Sequence, residues 1–261
     1  MDNVESSNNN SQKKNALHFE WVLPVFLKPR QTLQKISTQD KPVWLTPLLL
    51  LSALILLSVL VAAPLKRNEV LMAQSTPEYF DYFSSDQQAA FMNGQASQTS
   101  PLFLYLLPMV SGWAGLWLSW FLLSSLLHLS LTLAGSRAAN LRSYNLAGWS
   151  FLPIGLRHVV QILAMLFTKS LIAAPGLSGF IGGDVKGFAA FAAALLGLLD
   201  LYFVWQIILL LLGVTPLSGL EKKKAWSAAA VALFLLVLLQ AVPGFLSRAL
   251  SGFSMGSGFY F

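Results

Sequence analysis

Residues 43–63 read VWLTPLLLLSALILLSVLVAA, an apolar stretch without a charged side chain. At a rise of about 1.5 Å per residue, a helix of this length crosses about 30 Å of hydrocarbon. Four further apolar blocks follow, and we place the predicted membrane spans near residues 43–63, 106–132, 149–168, 188–213 and 225–246. The sequence therefore predicts an all-α integral membrane bundle of five transmembrane helices.

The composition also indicates a membrane-embedded chain. Only 11% of the residues are charged and 55% are hydrophobic, whereas soluble domains carry about 25% charged residues. The polar N-terminal tail has no apolar stretch of the signal-peptide kind, so we expect the first span to act as an uncleaved anchor. The chain has no cysteine, which excludes disulfides and thiolate metal sites. The predicted segments are a disordered polar tail (1–18), a cytoplasmic amphipathic segment (19–42), one membrane domain (43–246) with an outer loop (64–101), and a Gly/aromatic tail (247–261).

The distribution of basic residues predicts the orientation. If the N-terminus is cytoplasmic, 12 of the 17 Lys and Arg residues fall on inner segments, or 11 if Arg157 is counted as intramembrane, and 5 fall on outer ones. The outer residues are Lys66, Arg67, Lys169, Lys186 and Arg248. Because cytoplasmic loops of membrane proteins are enriched in Lys and Arg, we predict a cytoplasmic N-terminus and an outside C-terminus. The net charge of +6 then reflects topology, and we expect no nucleic-acid partner.

An amphipathic segment at residues 19–37 precedes the first span. Its apolar face carries Phe26, Leu27, Leu33 and Ile36, and Lys28, Arg30 and Lys35 lie beside that face. Basic amphipathic helices of this kind lie on anionic membrane surfaces. We predict a helix on the inner leaflet, with the three cations as an interfacial or partner surface. The alternative is a plain basic flank to the first span.

The outer loop contains a predicted short helix. Ser85 to Gln88 has the form of a capping box, and Gly94 is predicted to end the helix after Asn93. Aromatic residues precede it, namely Tyr79, Phe80, Tyr82 and Phe83. We predict that they lie on the outer interface or bind a partner. Docking on the ends of the protein's own bundle is the alternative.

Two charged residues fall near the middle of predicted spans. Arg157 lies about nine residues from the inner end of the third span, and Asp200 about twelve residues from the outer end of the fourth. A charge at a helix centre costs about 2.5–3.5 kcal/mol on insertion scales, so neither should face lipid alone. We predict that Arg157 and Asp200 form an intramembrane ion pair. The pair either locks the bundle or belongs to a proton or ion relay, in which His128 and His158 are candidate members.

Two further patterns at helical spacing are typical of packing. Trp113, Trp117 and Trp120 form one aromatic face of the second span. The small residues Ala189, Ala193 and Gly197 recur every fourth position of the fourth span, which permits close helix contact in lipid.

Serine patterns suggest an enzyme, but the supporting residues are missing. Residues 176–179 (GLSG) resemble the GxSG of rhomboid proteases, and residues 252–256 (GFSMG) match the GxSxG of hydrolases. The first requires a later histidine, yet all three histidines precede it, and the second requires a strand-turn-helix elbow. HExxH and GxxxxGK[ST] motifs are also absent from the sequence. We therefore predict no enzymatic activity, no catalytic residues, no metal and no cofactor.

Three stretches together resemble the Ypt/Rab-interacting (Yip) membrane-protein family, in its bacterial branch. They are PVFLKP (24–29) with WLTP (44–47), HLSLTLAG (128–135) leading through Tyr144 to FLP (151–153), and WQIILLLLG (205–213) followed by KKKA (222–225). The resemblance implies five spans with a cytoplasmic N-terminus in a prokaryotic plasma membrane. Eukaryotic members bind small GTPases in vesicle traffic, but this chain lacks their long cytoplasmic arm and their DLYGP-type motif. Some bacterial relatives accompany ABC export systems as accessory subunits.

The expected function is therefore that of a non-enzymatic accessory or scaffold subunit of a membrane complex, such as an ABC-type exporter. Its expected partners are membrane lipids and either another membrane protein or further copies of itself. The alternative is a transporter or an ion- or proton-conducting bundle that uses Arg157, His158 and Asp200. Five spans without a visible inverted repeat argue against a standalone carrier.

Overall fold

The computed structural model describes residues 17–73, 80–172, 177, 180 and 188–256, except for the side chains of 73, 188, 194 and 243–256. All regular elements of these residues are helical, which confirms the predicted all-α class. The α-helices are α1 (Val22–Leu27), α2 (Pro29–Ser37), α3 (Leu45–Ala73), α4 (Ser85–Gln98), α5 (Leu107–Leu133), α6 (Asn140–Ser150), α7 (Leu152–Thr168), α8 (Phe188–Leu198), α9 (Leu201–Ser218) and α10 (Lys222–Gly256). Short 3₁₀ turns cover Phe19–Trp21 and Phe80–Tyr82, and a π-helical turn, Leu102–Leu106, leads into α5.

Five helical stretches are long and apolar enough to cross a membrane, as predicted. They are Leu45–Met72, Leu102–Leu133, Asn140–Thr168, Leu201–Ser218 and Lys222–Val242. The third begins earlier than predicted because the polar residues of α6 lowered the local hydropathy. Helix α3, which forms the first span, continues into the predicted outer loop. Helix α10 extends beyond the predicted end of the fifth span.

The fourth predicted span, 188–213, is not one helix. It divides into α8 and α9 at Asp200, whose backbone is extended (φ −145°, ψ 179°). The Asp200 carboxylate accepts a hydrogen bond from the Phe203 N–H at 2.8 Å, which caps α9. Asp is among the favoured N-cap residues because its side chain satisfies a free N–H of the first turn. By length and composition α9 is the part of this block that could span a membrane, and it is followed by Gly219 in a left-handed conformation (φ 66°).

The bundle packs around α9, α6 and α5. Helix α9 contacts α2, α6, α7 and α10, and α5 contacts α3, α6 and α10. Fully buried side chains at the centre include Leu123, Leu127, Leu146, Trp149, Leu209 and Leu210. Gly213 of α9 lies so close to Leu146 of α6 that a Cβ atom would overlap the leucine. This close approach fixes the level of α9 relative to α6.

The apolar face of α2 lies on protein, not in the leaflet as predicted. Leu33 and Ile36 are fully buried, and α2 packs against α6 and α9. The Phe26 ring contacts Trp205 edge-on at 5.3 Å, whereas Leu27 is 70% exposed. An amphipathic pattern predicts a buried face without specifying whether lipid or protein covers it.

Polar bonds hold the link between α2 and α3 against α6. Asn145 accepts from the Val43 N–H at 2.9 Å and donates to the Lys41 carbonyl at 2.8 Å. The indole of Trp149 donates to the Val43 carbonyl at 2.9 Å. Asn145 and Trp149 are fully buried. These bonds satisfy backbone groups that would otherwise be unpaired in an apolar environment.

Candidate functional site: an intramembrane ion pair

The level of Arg157 follows from how α6 and α7 run beside α3. Gly148 lies against Trp44, because a Cβ atom there would be 3.0 Å from the Trp44 Cβ. Arg157 is nine residues further on, or about 14 Å along the helix axis. The apolar stretch of the first span lies between Trp44, which directly precedes α3, and Lys66, a distance of about 33 Å at the same rise. Arg157 therefore lies near the middle of the apolar thickness.

The structure brings Arg157 and Asp200 together. The Arg157 Nη1 donates to Asp200 Oδ2 at 2.9 Å, while Asp200 Oδ1 accepts from the Phe203 N–H at 2.8 Å. The side chains are 26% and 14% exposed, so the pair is largely shielded. One carboxylate thus neutralises an arginine and caps a helix that starts inside the apolar layer. The arrangement removes the cost of leaving either charge alone in lipid.

The helix break also receives a residue from the glycine-rich segment between α7 and α8. The Leu177 N–H donates to the Leu199 carbonyl at 3.1 Å. Leu199 precedes Asp200, so Leu177 lies at the level of the ion pair. Residues 170–187 are rich in glycine and moderately apolar, which is compatible either with an outer loop or with entry into the membrane, and the Leu177 contact favours entry. The neighbouring residues 173–176, 178–179 and 181–187 lie outside the described part of the chain.

The two candidate relay histidines are not joined to the pair. Within the described residues, neither His128 nor His158 makes a hydrogen bond to Arg157 or Asp200, and the buried His158 Nδ1 has no partner. The His128 carbonyl accepts from the Thr132 hydroxyl at 2.8 Å, an ordinary bond within α5. The described structure does not assemble a continuous relay from these side chains.

Gln206 is a polar group that sequence reasoning missed. It lies in α9, is 2% exposed, and its Nε2 has no hydrogen-bond partner among the described residues. It is six residues from Asp200, about 9 Å along the axis. A glutamine between Trp205 and Ile207 was the available signal, but its side chain carries no charge to mark it as costly in lipid. No group of three or more metal-ligating His, Asp or Glu side chains occurs in the described residues.

The predicted partner surfaces are placed as follows. Lys28 and Arg30 are exposed, and the Lys35 ammonium lies over the Trp21 ring at 4.8 Å. Tyr79 lies outside the described residues. Phe80 contacts Phe83 and Phe91, with ring centroids 6.0 and 5.4 Å apart.

The capping box of α4 lies one residue earlier than predicted. The Ser84 hydroxyl accepts from the Gln87 N–H at 3.3 Å, and the Gln87 side chain accepts from the Ser84 N–H at 3.0 Å. The prediction that Gly94 ends this helix is also wrong, because α4 continues to Gln98. A glycine inside a helix costs only about 1 kcal/mol and is tolerated.

Of the three small residues predicted to pack in the fourth block, only Ala193 is fully buried. Helix α8 contacts α10, and Ala193 is 1% exposed, whereas Ala189 is exposed and Gly197 is half-buried.

The three tryptophans on one face of α5 differ in burial. Trp120 is buried and donates to the Tyr144 carbonyl at 3.1 Å, and Trp117 donates to the Ser52 hydroxyl at 3.2 Å, but Trp113 is 46% exposed.

The serine patterns add no site to the described structure. Apart from Leu177, the GLSG residues lie outside the described residues, as do the side chains of 252–256.

Comparison with protein families identifies a match over most of the chain. The model of the Yip1 domain matches residues 23–242, most of the chain. Comparisons with curated proteins and with solved structures give no match. The matched range contains all five spans and the Arg157–Asp200 pair, so the family assignment covers the whole bundle. The resemblance that the sequence showed to Yip proteins is thereby confirmed: this multi-pass membrane protein belongs to the Yip1 domain family.

Proposed function

We propose that this protein is a non-enzymatic accessory or scaffold subunit of a prokaryotic plasma-membrane complex, such as an ABC-type exporter. The proposal rests on the outer arm, residues 80–98. The arm has its own folded structure but leaves much of its surface uncovered. That combination suits a segment that contacts a neighbouring protein.

Local interactions fold the arm. The Ser84–Gln87 capping box starts α4, Phe80 packs on Phe83 and Phe91, and the Gln88 side chain donates to the Phe80 carbonyl at 3.0 Å. A pre-formed segment loses less conformational entropy when it binds.

The outward surface of the arm is apolar and acidic. Tyr82 is 85% exposed and Met92 is 53% exposed, and Asp81 and Asp86 are exposed beside them. The arm meets the bundle mainly at the π-helical turn Leu102–Leu106. Exposed Tyr and Met side chains are enriched in protein interfaces. We therefore assign the partner contact to Tyr82 and Met92.

Photo-crosslinking tests this assignment. A benzoylphenylalanine at Tyr82 should crosslink to one membrane protein in intact cells, and the same probe at Val204, half exposed in α9, should not. Tyr82→Ala/Met92→Ala should reduce the co-purified partner at least about tenfold, as expected for interface anchors. Met72→Ala, at an 87% exposed methionine, is the matched control. Purification of the protein alone, without crosslinks at Tyr82, would contradict the proposal.

A second candidate function is transport, and the broken fourth block favours it. Helices interrupted near the membrane midplane form substrate and ion sites in many transporters. Here the break coincides with Asp200, Arg157 and a contact from Leu177. Substrate-dependent flux in proteoliposomes of the purified chain, abolished in Asp200→Asn, would support transport. Absence of flux together with a stoichiometric partner supports the accessory role.

A further inference from the structure

A cleft of about 540 Å³ lies between the end of α5 and the start of α10. This volume is within the range of small-molecule sites. Its polar side chains are Lys223, Lys224, Ser130 and Ser227, and its apolar wall includes Leu133 and Val231. We propose that the cleft binds one anionic phospholipid, with the headgroup phosphate at the two lysines and an acyl chain along α10. The proposal is independent of the accessory role.

The two lysines are available to an anion. Lys223 and Lys224 are exposed and form no ion pair within the described residues. Lys222 differs, because its ammonium lies over the Trp226 ring at 4.4 Å. Glu221 precedes α10 but does not line the cleft. A phosphate group would therefore meet two cations without a carboxylate inside the cleft to compete.

The lining changes from polar to apolar with depth. Lys223, Ser227 and Val231 are four residues apart, so they share one face of α10 in steps of about 6 Å. Val231 is 52% exposed, and Leu235, one turn further, is 39% exposed. This order matches a phospholipid, whose charged headgroup continues into hydrocarbon. A free anion would leave the apolar half of the cleft unused.

The α5 wall contributes one polar and one exposed apolar side chain to the cleft. The Ser130 hydroxyl makes no hydrogen bond within the described residues, whereas the Ser227 hydroxyl donates to the Lys223 carbonyl at 2.9 Å. Ser130 can thus donate to a phosphate or glycerol oxygen. Leu133, 80% exposed, provides apolar surface at the mouth of the cleft. Basic pockets between helices at the cytoplasmic surface are suited to anionic headgroups.

Native mass spectrometry of the full chain in neutral detergent tests the proposal. Dioctanoyl phosphatidylglycerol is the probe and dioctanoyl phosphatidylcholine is the zwitterionic comparison. Lys223→Gln/Lys224→Gln should weaken phosphatidylglycerol binding at least about tenfold, since each basic residue near a membrane surface contributes to anionic lipid binding. Ser227→Trp fills the cleft without changing charge and should weaken binding to a similar extent.

Lys66→Gln/Arg67→Gln is the matched control. It also removes two neighbouring exposed basic residues, but they lie towards the C-terminal end of α3 and do not line the cleft. It should change binding less than about twofold. Equal losses in the two charge variants would overturn the proposal, as would equal binding of phosphatidylcholine. Displacement of phosphatidylglycerol by millimolar inorganic phosphate would also overturn it, since the site would then recognise a free anion. Unchanged binding in Ser227→Trp would contradict the acyl-chain assignment.

Discussion

At the scale of single residues, Asp200 uses its two carboxylate oxygens for two different neighbours. One accepts from Arg157 and the other from the first turn of α9. The shared depth of the two charges could be predicted from their distances to the span ends. The capping role could not, because apolar residues on both sides of Asp200 hid the break from hydropathy.

Substitution can separate these two roles. Asp200→Asn keeps a good N-cap side chain but removes the charge. Arg157 would then be uncompensated, and we expect a loss of about 2 kcal/mol in the free energy of unfolding, below the 3–5 kcal/mol of fully buried pairs because this pair is partly exposed. Denaturant unfolding in detergent measures it. Arg157→Gln/Asp200→Asn should recover most of the loss, and a double variant no better than Asp200→Asn would contradict the pairing.

Gly213 is a second position where one atom decides the packing. Gly213→Ala would place a methyl group on Leu146, and we expect a loss of about 1–3 kcal/mol from overpacking. Gly115→Ala is the control, because nothing lies within 4 Å of a Cβ there. Unfolding midpoints of the two variants provide the comparison. Equal midpoints would disprove the close contact between α9 and α6.

At the scale of elements, hydropathy predicted the existence of the helices better than their ends. The start of α6 was missed because its first turns are polar. Residues 84–88 contain two overlapping capping-box patterns, Ser84 with Gln87 and Ser85 with Gln88, and sequence alone does not choose between them. The docking of α2 was missed because its partners, α6 and α9, are more than a hundred residues away.

The docking of α2 depends on Asn145, which binds the backbone of the α2–α3 link. Asn145→Ala removes these hydrogen bonds and should loosen α2. The chain has no cysteine, so Leu33→Cys provides a unique thiol on the buried face. Maleimide labelling at this position should be slow in the otherwise native chain and at least about tenfold faster with Asn145→Ala, as local opening becomes easier.

A reference thiol controls for general effects of Asn145→Ala. Leu23→Cys, at a 64% exposed position, should be labelled at the same rate with and without this substitution. Slow labelling of Leu33→Cys in both backgrounds would show that α2 stays docked without Asn145.

At the scale of the whole molecule, the structure is a bundle whose basic end holds α2, the α5–α10 cleft and the start of α6. The five crossings place the outer arm at the other end. The charge asymmetry predicts which end faces the cytosol, and helix packing carries no information on that point. The orientation of the bundle is thus predicted from the positions of its Lys and Arg residues.

Site-directed labelling in intact cells tests the five-crossing topology most directly. Met92→Cys on the outer arm should react with a membrane-impermeant maleimide, whereas Gln34→Cys, exposed on α2, should react only after permeabilisation. A tag fused after Phe261 should be accessible from outside. Labelling of Met92→Cys and Gln34→Cys from the same side, or both termini on one side, would contradict the account.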